Sequence, residues 1–397
     1  MTRLAAAALA LTLLTPACAD AQRPPRRAAA APVPSVLQTR VDSLVGASIR
    51  SRVFPAAAVA IGRAGQAAPV VLKAYGTFTY VSPERVTVDT PFDMASLTKV
   101  IATTTVAARF MDRGLLDLDA PLARYLPALD TIPAKRGITV RQVMTHSAGL
   151  RPFIPFYLRG IVTRDGILKA ILDDSLVYTP GTTSRYSDFG YILLGLALEH
   201  IGGAPLDELA RREVFVPLGM THSTFRPVGA MPDAAMVVPT EFDSIYRRRL
   251  VQGEVHDETA WTLGGVSGHA GLFSTARDAG KFAAMLLAGG RLPDGTVYLR
   301  PETMRLLSTR EGSVSGSTRA IGWDTKSDTG YSSGGSKTSR SAFGHTGFTG
   351  TSLWVDPAQG FYVVLLTNRV YPTRDNSRIG PVRSQIADLA SDAFRQR

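Results

Sequence analysis

The sequence contains one cysteine, Cys18, among 397 residues. A single cysteine cannot form an intramolecular disulfide, and a zinc site built from several thiolates is excluded. Lysine is also scarce, because only seven of the 44 basic residues are lysines and the arginines are scattered along the chain. The formal charge of +11 therefore lacks the long basic runs of a nucleic-acid-binding module, and we expect no nucleic-acid partner.

Long hydrophobic runs and internal repeats are absent after the N-terminal segment. The 36 glycines and 25 prolines follow no Gly-X-Y period, which excludes a collagen-like chain. A composition of 45% hydrophobic and 19% charged residues excludes a chain that is disordered throughout. The length suits two or three folding units, or one large domain that carries an insertion.

Residues 1–21 have the layout of a secretory signal peptide. Arg3 precedes an apolar stretch, 4–14, and small residues follow it. We therefore expect export to the periplasm or the cell exterior, either by cleavage near Cys18 or by lipidation of Cys18, which would tether the protein to the membrane as a lipoprotein. Residues 22–35 are rich in Pro, Ala and Arg and are predicted to form an extended linker.

The remaining periodicity predicts an α+β fold. A helix is expected over 36–51, strands over 56–62 and 70–80, further strands between 319 and 367, and a last helix from about 379. The intervening section consists mainly of short helices and loops. The pattern predicts an antiparallel sheet assembled from both ends of the chain and flanked by helices, with an inserted all-α lobe. The α/β lobe comprises 36–95 and 257–397, and the helical lobe comprises 96–256.

One Ser-x-x-Lys motif, Ser96 to Lys99, lies at the start of a predicted helix over 96–112. A spacing of three places both side chains on one helix face, so the lysine amine can reach the serine hydroxyl. A serine hydroxyl is a poor nucleophile without such a neighbour. Taken alone, the motif also fits a helix N-cap followed by a surface lysine.

Two later segments add polar groups of the same chemistry. Tyr186 and Asp188 form a Tyr-x-Asp motif on a loop before an apolar helix, and His345, Thr346 and Gly347 end a predicted strand. Each segment alone fits a structural loop or strand.

Together, in this order and spacing, the three segments resemble the serine β-lactamase and penicillin-binding-protein superfamily. Its class C-like branch has Ser-x-x-Lys, Tyr-x-Asn, and Lys-Thr-Gly or His-Thr-Gly. The resemblance extends from about 54 to 371 and includes the sequences at 92–95, 145–150, 264–275 and 347–352. It implies a β-lactamase/transpeptidase-like fold.

The resemblance also implies a set of site residues. Ser96 would attack a carbonyl to give an acyl-enzyme, and Lys99 and Tyr186 would share the proton transfers, with Tyr186 favoured as the base. The backbone N–H groups of Ser96 and Phe348 would form the oxyanion hole. The remaining implied substrate-binding residues are Asp188, His345, Thr346 and Gly347. No metal or other cofactor is implied.

Two positions depart from the usual pattern of the superfamily. Asp188 replaces the usual Asn, so a carboxylate that only accepts hydrogen bonds is expected to pair with Lys99 and hold it charged. His345 replaces the commoner Lys and is expected to be a mostly neutral donor at neutral pH. Histidine here resembles certain D-alanyl-D-alanine carboxypeptidases and esterases of the branch, including class VIII-type esterases, and argues against an efficient β-lactamase.

The sequence therefore predicts an exported serine hydrolase of amides or esters, with D-Ala-D-Ala-type cell-wall peptides, and so peptidoglycan, as substrate. The alternatives are a carboxylesterase acting on small acyl esters and a non-catalytic binder of wall fragments or penicillin. Four polar or aromatic positions are predicted to be structural or to lie at the cleft rim: His146, the turn 256–258, Trp261 and His269. The motifs of α/β-hydrolases, P-loop NTPases and Rossmann enzymes are absent from the sequence.

Overall fold

The computed structural model describes residues 1–2, 33–227 and 236–395. The chain divides into two units, Met1–Pro32 and Val33–Arg397, and the fold described here is that of the second. The predicted signal peptide beyond residue 2, Cys18 and residues 22–32 of the predicted linker lie outside the described residues. The first helix begins at Val33, so residues 33–35 are helical and not part of an extended linker.

The helices and strands are numbered in chain order within the described residues. The helices are α1 (Val33–Arg50), α2 (Thr105–Asp112), α3 (Val140–Met144), α4 (Arg164–Asp173), α5 (Asp188–Gly202), α6 (Leu206–Ala210), α7 (Glu258–Thr262), α8 (Ala276–Leu287), α9 (Pro301–Ser308) and α10 (Ile379–Arg395). The strands are β1 (Ala56–Arg63), β2 (Val71–Gly76), β3 (Phe92–Asp93), β4 (Thr224–Phe225), β5 (Phe242–Asp243), β6 (Arg249–Leu250), β7 (Leu272–Ser274), β8 (Asp324–Thr325), β9 (Phe343–Thr346), β10 (Ser352–Asp356) and β11 (Phe361–Thr367).

The main sheet joins the two ends of the described chain, as the sequence predicts. Its six strands lie in the order β2-β1-β11-β10-β9-β8, and all neighbouring pairs are antiparallel. Strand β1 pairs with β11 in the register Ala57 to Thr367. The fold is therefore the predicted α+β arrangement with helices on both sides of an antiparallel sheet.

Strand β1 is apolar along its whole length because both of its faces are covered. Val59 and Ile61 pack in a cluster with residues of α1 and α10, whereas Ala58 and Ala60 pack in a second cluster with residues of α8. Successive side chains of a strand point to opposite faces, so one short strand contributes to two hydrophobic cores.

The inserted region is mainly helical, but it is not all-α. Strand β4 pairs with β7, which also pairs with β3, and β5 pairs with β6. The predicted strand 319–324 is largely a turn, because Arg319 forms only an isolated bridge with Asp324 and Gly322 has a φ of +82°. A Cβ at Gly322 would lie 2.4 Å from the hydroxyl oxygen of Thr104, so both the positive φ and the close approach to Thr104 require glycine here.

Two searches of the described residues give negative results. No single helix is long and apolar enough to cross a membrane, although the bent pair Asp188–Gly202 and Leu206–Phe215 meets the same criteria of length and composition together. Within those residues, no cluster of three or more His, Cys, Asp or Glu side chains is arranged to hold a metal ion.

Helix α8 offers a direct test of the packing against the sheet. Phe282 is fully buried and stacks on Trp323, with ring centroids 6.3 Å apart. We expect Phe282→Ala to lower the free energy of unfolding by about 3–5 kcal/mol, because the substitution leaves a cavity. Val81→Ala, at a residue that is 88% exposed, should change the free energy of unfolding by less than about 0.5 kcal/mol. Denaturant unfolding measures both, and equal effects would contradict this packing.

Candidate active site

Ser96 follows a strained turn that connects β3 to the Ser-x-x-Lys helix. Ala95 has a φ of +45°, a conformation that costs free energy for a residue with a side chain. The turn is held because the N–H of Ala95 donates to Asp93 Oδ1 at 2.7 Å. The predicted helix begins with tight turns at Ser96, continues as a π-helical turn over Lys99–Thr104 and becomes α2. Ser96 itself is partly exposed.

Lys99 lies completely buried beneath Ser96. Its Nζ donates to Ser96 Oγ at 3.1 Å and to the backbone oxygen of His269 at 3.0 Å, and lies 2.6 Å from Asp188 Oδ1. Burial alone would lower the pKa of Lys99, but Asp188 and, after it, Tyr186 together outweigh burial and raise that pKa above its usual value. Lys99 is therefore a fixed cation next to the serine.

Asp188 is the first residue of α5 and pairs with Lys99. We expected this pairing because a carboxylate here replaces the usual Asn. Its backbone N–H donates to the oxygen of Pro152 at 2.9 Å, which fixes the start of the helix. The second carboxylate oxygen, Oδ2, has no hydrogen-bond partner among the described residues. The Asp188 side chain is 19% exposed, so this acceptor can be reached from solvent.

Tyr186 places its ring beside Lys99, whose Nζ lies 4.9 Å from the ring centroid. Its hydroxyl oxygen is buried and makes no hydrogen bond of standard geometry within the described residues, but it lies close enough to Lys99 and Ser96 for both to affect its pKa. Burial raises the pKa of Tyr186, and the Lys99 ammonium and the Ser96 hydroxyl offset only part of that rise. The phenol is therefore protonated at neutral pH and can both donate and accept a proton.

The backbone N–H groups of Ser96 and Phe348 donate no hydrogen bond to any other described residue. Free N–H donors of this kind are what an oxyanion hole requires. Gly347 permits the close approach of the β9 end to the serine turn, because a Cβ there would lie 2.6 Å from the backbone oxygen of Met94. Thr349 and Thr351 fasten the two segments by donating to the oxygens of Asp93 and Met94 at 2.7 and 3.0 Å.

His345 is buried behind Tyr186, with ring centroids 5.9 Å apart. Its Nδ1 lies 2.8 Å from the oxygen of Thr346, which can only accept, so Nδ1 carries the proton and Nε2 is an acceptor without a partner in the described part of the chain. Burial lowers the pKa of His345 well below its usual value, and nearby Arg319 and Lys99 lower it further. His345 is therefore neutral.

His146 is the second buried imidazole next to Tyr186, with ring centroids 4.5 Å apart. Its Nδ1 accepts from the N–H of Ser187 at 3.1 Å, and its backbone oxygen accepts from Tyr178. Burial lowers its pKa well below the usual value, with further lowering by Arg319. His146 thus fastens the loop that carries Tyr186, in agreement with the structural role predicted for it.

A pocket of about 260 Å³ opens above the serine. Four predicted site residues line it: Ser96, Tyr186, Asp188 and Phe348. His345, Thr346 and Gly347 are absent from its lining. Phe153 and Arg374 also line the pocket and were not predicted from the sequence. Residues 256–258, predicted as a structural turn near the cleft, form part of the wall.

The fold and this pocket define a serine hydrolase that carries a Ser-x-x-Lys pair. A family model described as Beta-lactamase matches residues 40–387. An Escherichia coli (strain K12) protein named "Putative D-alanyl-D-alanine carboxypeptidase" is 32% identical over 318 residues, covering 74% of this chain and 72% of that protein. A protein of the same name from Salmonella typhimurium is 30% identical, covering 77% and 76%. The chain belongs to the β-lactamase family, as the sequence motifs predicted.

Solved structures confirm the β-lactamase/transpeptidase-like fold. EstCE1, described as a hydrolase with promiscuous acyltransferase activity, has a TM-score of 0.71 at 22% identity, covering 90% of this chain and 99% of that one. Simvastatin synthase from Aspergillus terreus has a TM-score of 0.70 at 21% identity, covering 93% and 100%. The octameric penicillin-binding protein homologue from Pyrococcus abyssi has a TM-score of 0.64 at 20% identity, covering 89% and 76%.

Gly347 tests whether the approach of β9 to the serine turn matters for activity. We expect Gly347→Ala to lower kcat/KM for p-nitrophenyl butyrate by about 100-fold, since a Cβ would displace the Phe348 N–H from the serine. Gly137→Ala is the control, because a Cβ at Gly137 meets no atom within 4 Å. Circular dichroism establishes that both variants fold, and a folded Gly347→Ala with unchanged kcat/KM would contradict the assignment.

Proposed function

We propose that the protein is an exported hydrolase that forms an acyl-enzyme on Ser96 and releases the acyl group to water. The observation that carries the proposal is the 3.1 Å hydrogen bond from the buried, charged Lys99 to Ser96 Oγ within a solvent-open pocket. A cation that donates to the serine oxygen stabilises the negative charge that develops there during attack on a carbonyl.

The proton transfers in this proposal pass through Tyr186. Lys99 already donates to Ser96 Oγ and is held charged, so it is a poor acceptor for the serine proton. As Ser96 Oγ bonds to the carbonyl carbon, its proton moves to the Tyr186 hydroxyl, which gives its own proton to the departing oxygen or nitrogen. The free N–H groups of Ser96 and Phe348 would bind the carbonyl oxygen. Water then repeats the sequence and releases Ser96 with its proton restored.

The proposed substrates are D-Ala-D-Ala-type peptides of the cell wall. The support for this class is the name of the relatives that are 30–32% identical over about three quarters of the chain. Peptidoglycan is accordingly the proposed macromolecular partner. The substrate contacts implied for His345, Thr346 and Gly347 are not part of this proposal, because none of the three lines the pocket.

A carboxylesterase acting on small acyl esters is the second candidate, and a specific observation favours it. A peptide that ends in a carboxylate needs a cation, yet Lys99 is completely buried and His345 is neutral. Arg374, the cation among the described residues that line the pocket, is already bonded to Glu241 and Glu258. An ester without a carboxylate needs no cation in the pocket.

Two substitutions test the catalytic proposal. We expect Ser96→Ala to remove the mass adduct of a fluorophosphonate or penicillin probe, and Tyr186→Phe to lower kcat by about 10²–10⁴-fold, the usual contribution of acid–base catalysis. Intact mass, peptide mapping and turnover of an ester and of a D-Ala-D-Ala peptide provide the measurements. An unchanged adduct on Ser96→Ala would remove Ser96 as nucleophile. A Tyr186→Phe variant that folds and keeps full kcat would remove Tyr186 from the proton transfers.

The absence of turnover in a folded wild-type protein would favour the non-catalytic binder over either hydrolase.

The export proposal is supported by Arg3, the apolar stretch 4–14 and the names of the relatives as carboxypeptidases of D-alanyl-D-alanine. Fractionation of cells together with labelling by a palmitate analogue tests it. Label on Cys18 supports a lipoprotein, and a full-length protein in the cytoplasmic fraction would contradict export.

A further inference from the structure

Among the residues that line the pocket above Ser96, carboxylates outnumber cations. Three carboxylates line it, those of Asp188, Asp257 and Glu258, against one arginine, Arg374, which contacts Glu258. Further cations lie behind the lining: Lys99 contacts Asp188, Arg319 lies over the ring of Tyr186, and Arg369 lies over the ring of Phe348. The excess of carboxylates is therefore a property of the surface that a substrate meets in the pocket.

Asp257 is the carboxylate that no lysine or arginine in the described structure neutralises. Its Oδ1 lies 3.0 Å from His269 Nε2 and accepts from the N–H of Ala260 at 2.7 Å, and its Oδ2 has no partner among the described residues. Burial would raise the pKa of Asp257, but His269 and the Ala260 N–H outweigh burial, and the net shift is downward. Asp257 therefore stays ionised, and its side chain is 25% exposed at the pocket.

The unbonded carboxylate oxygens of Asp257 and Asp188 belong to residues that line the same pocket. Lys99 Nζ lies 2.6 Å from Asp188 and donates to the backbone oxygen of His269, whose ring contacts Asp257. Both oxygens can only accept hydrogen bonds, so a substrate must offer them donors. Phe153, which is 44% exposed and lines the same pocket, has no aromatic or cationic partner within the described residues and offers a ring face. Carboxylates beside an open aromatic face are suited to an ammonium group.

We propose that this pocket selects esters or amides that carry a protonated amine close to the scissile carbonyl, with Asp188 and Asp257 as its acceptors. This inference rests on the proposed hydrolysis at Ser96 and names the substrate class of the same site. The amine can belong to the acyl group, as in an aminoacyl amide, or to the leaving group, as in an aminoalkyl ester.

Two isosteric substrate pairs separate these cases. Alanyl p-nitroanilide, in either configuration, is compared with lactyl p-nitroanilide for the acyl side. The ester 2-(dimethylamino)ethyl butyrate is compared with 3-methylbutyl butyrate for the leaving-group side. At pH 7 and low salt, we expect kcat/KM of the charged member to exceed that of its isostere by at least about tenfold in one pair. The pair that shows the preference locates the amine.

The salt dependence and one variant test the electrostatic origin of that preference. The ratio of kcat/KM for the charged substrate to kcat/KM for its neutral isostere should fall severalfold between about 0.01 and 0.5 M salt, because ions screen partly exposed charges. Asp257→Asn should lower the ratio about tenfold. Asp173→Asn, which removes the same charge from an exposed ion pair on α4, should leave the ratio unchanged. The salt series needs no variant, so it stands even if Asp257→Asn does not fold.

The outcomes separate this inference from the catalytic proposal. Turnover by wild type with equal rates within both pairs, or faster turnover of the neutral members, would overturn the preference for an amine and leave Ser96 catalysis intact. A ratio that survives Asp257→Asn in a folded protein would overturn the assignment to Asp257. Turnover that survives Ser96→Ala would instead overturn the catalytic proposal.

Discussion

A buried ammonium group is the constraint on which the site depends. Lys99 has no exposed surface, and an unpaired charge in such a place would cost several kcal/mol. Three segments of the chain compensate it: Asp188 at the start of α5, the His269 backbone oxygen before β7, and Ser96 in the turn after β3. Because these segments are far apart in sequence, the lysine joins the inserted helical region to the part of the chain that continues into the sheet.

The sheet supplies the other half of the site through close packing of backbone. Gly347 leaves no room for a side chain, and the hydroxyls of Thr349 and Thr351 bind the oxygens of the serine turn. The strained Ala95 is thereby held from both sides, by Asp93 and by the end of β9. The strained Ala95 and the buried charge of Lys99 are therefore accommodated by segments that meet at Ser96.

Local sequence patterns predicted most of the fold. The strand β1, the last helix and the joining of both chain ends in one sheet followed from periodicity. The sequence predicted two segments poorly. At Gly322, whose φ is +82°, the chain turns where a strand was predicted, and at Val33 a helix begins in a stretch whose Pro and Ala content suggested a linker.

The site was predicted to a similar extent. Ser96 and Lys99 lie together as their spacing suggested, and Tyr186 and Asp188 join them as the resemblance implied. Asp188 pairs with Lys99 because a carboxylate replaces an amide. Phe153 and Arg374 carry no motif, since they reach the pocket only through long-range folding. The burial of His345 behind Tyr186, outside the pocket wall, could not be predicted from the sequence either. A strand pattern does not reveal which face of the strand a neighbouring ring covers.

The charge of Lys99, held by Asp188, can be measured directly from the ¹³Cε chemical shift of Lys99 across a pH titration. A Lys99→Arg variant identifies its signal among those of the seven lysines. We expect wild-type Lys99 to stay charged at and above the ordinary lysine pKa of about 10.4, and Asp188→Asn to lower the pKa of Lys99. Loss of the proton of wild-type Lys99 below about pH 8 would show that it is not a permanent cation.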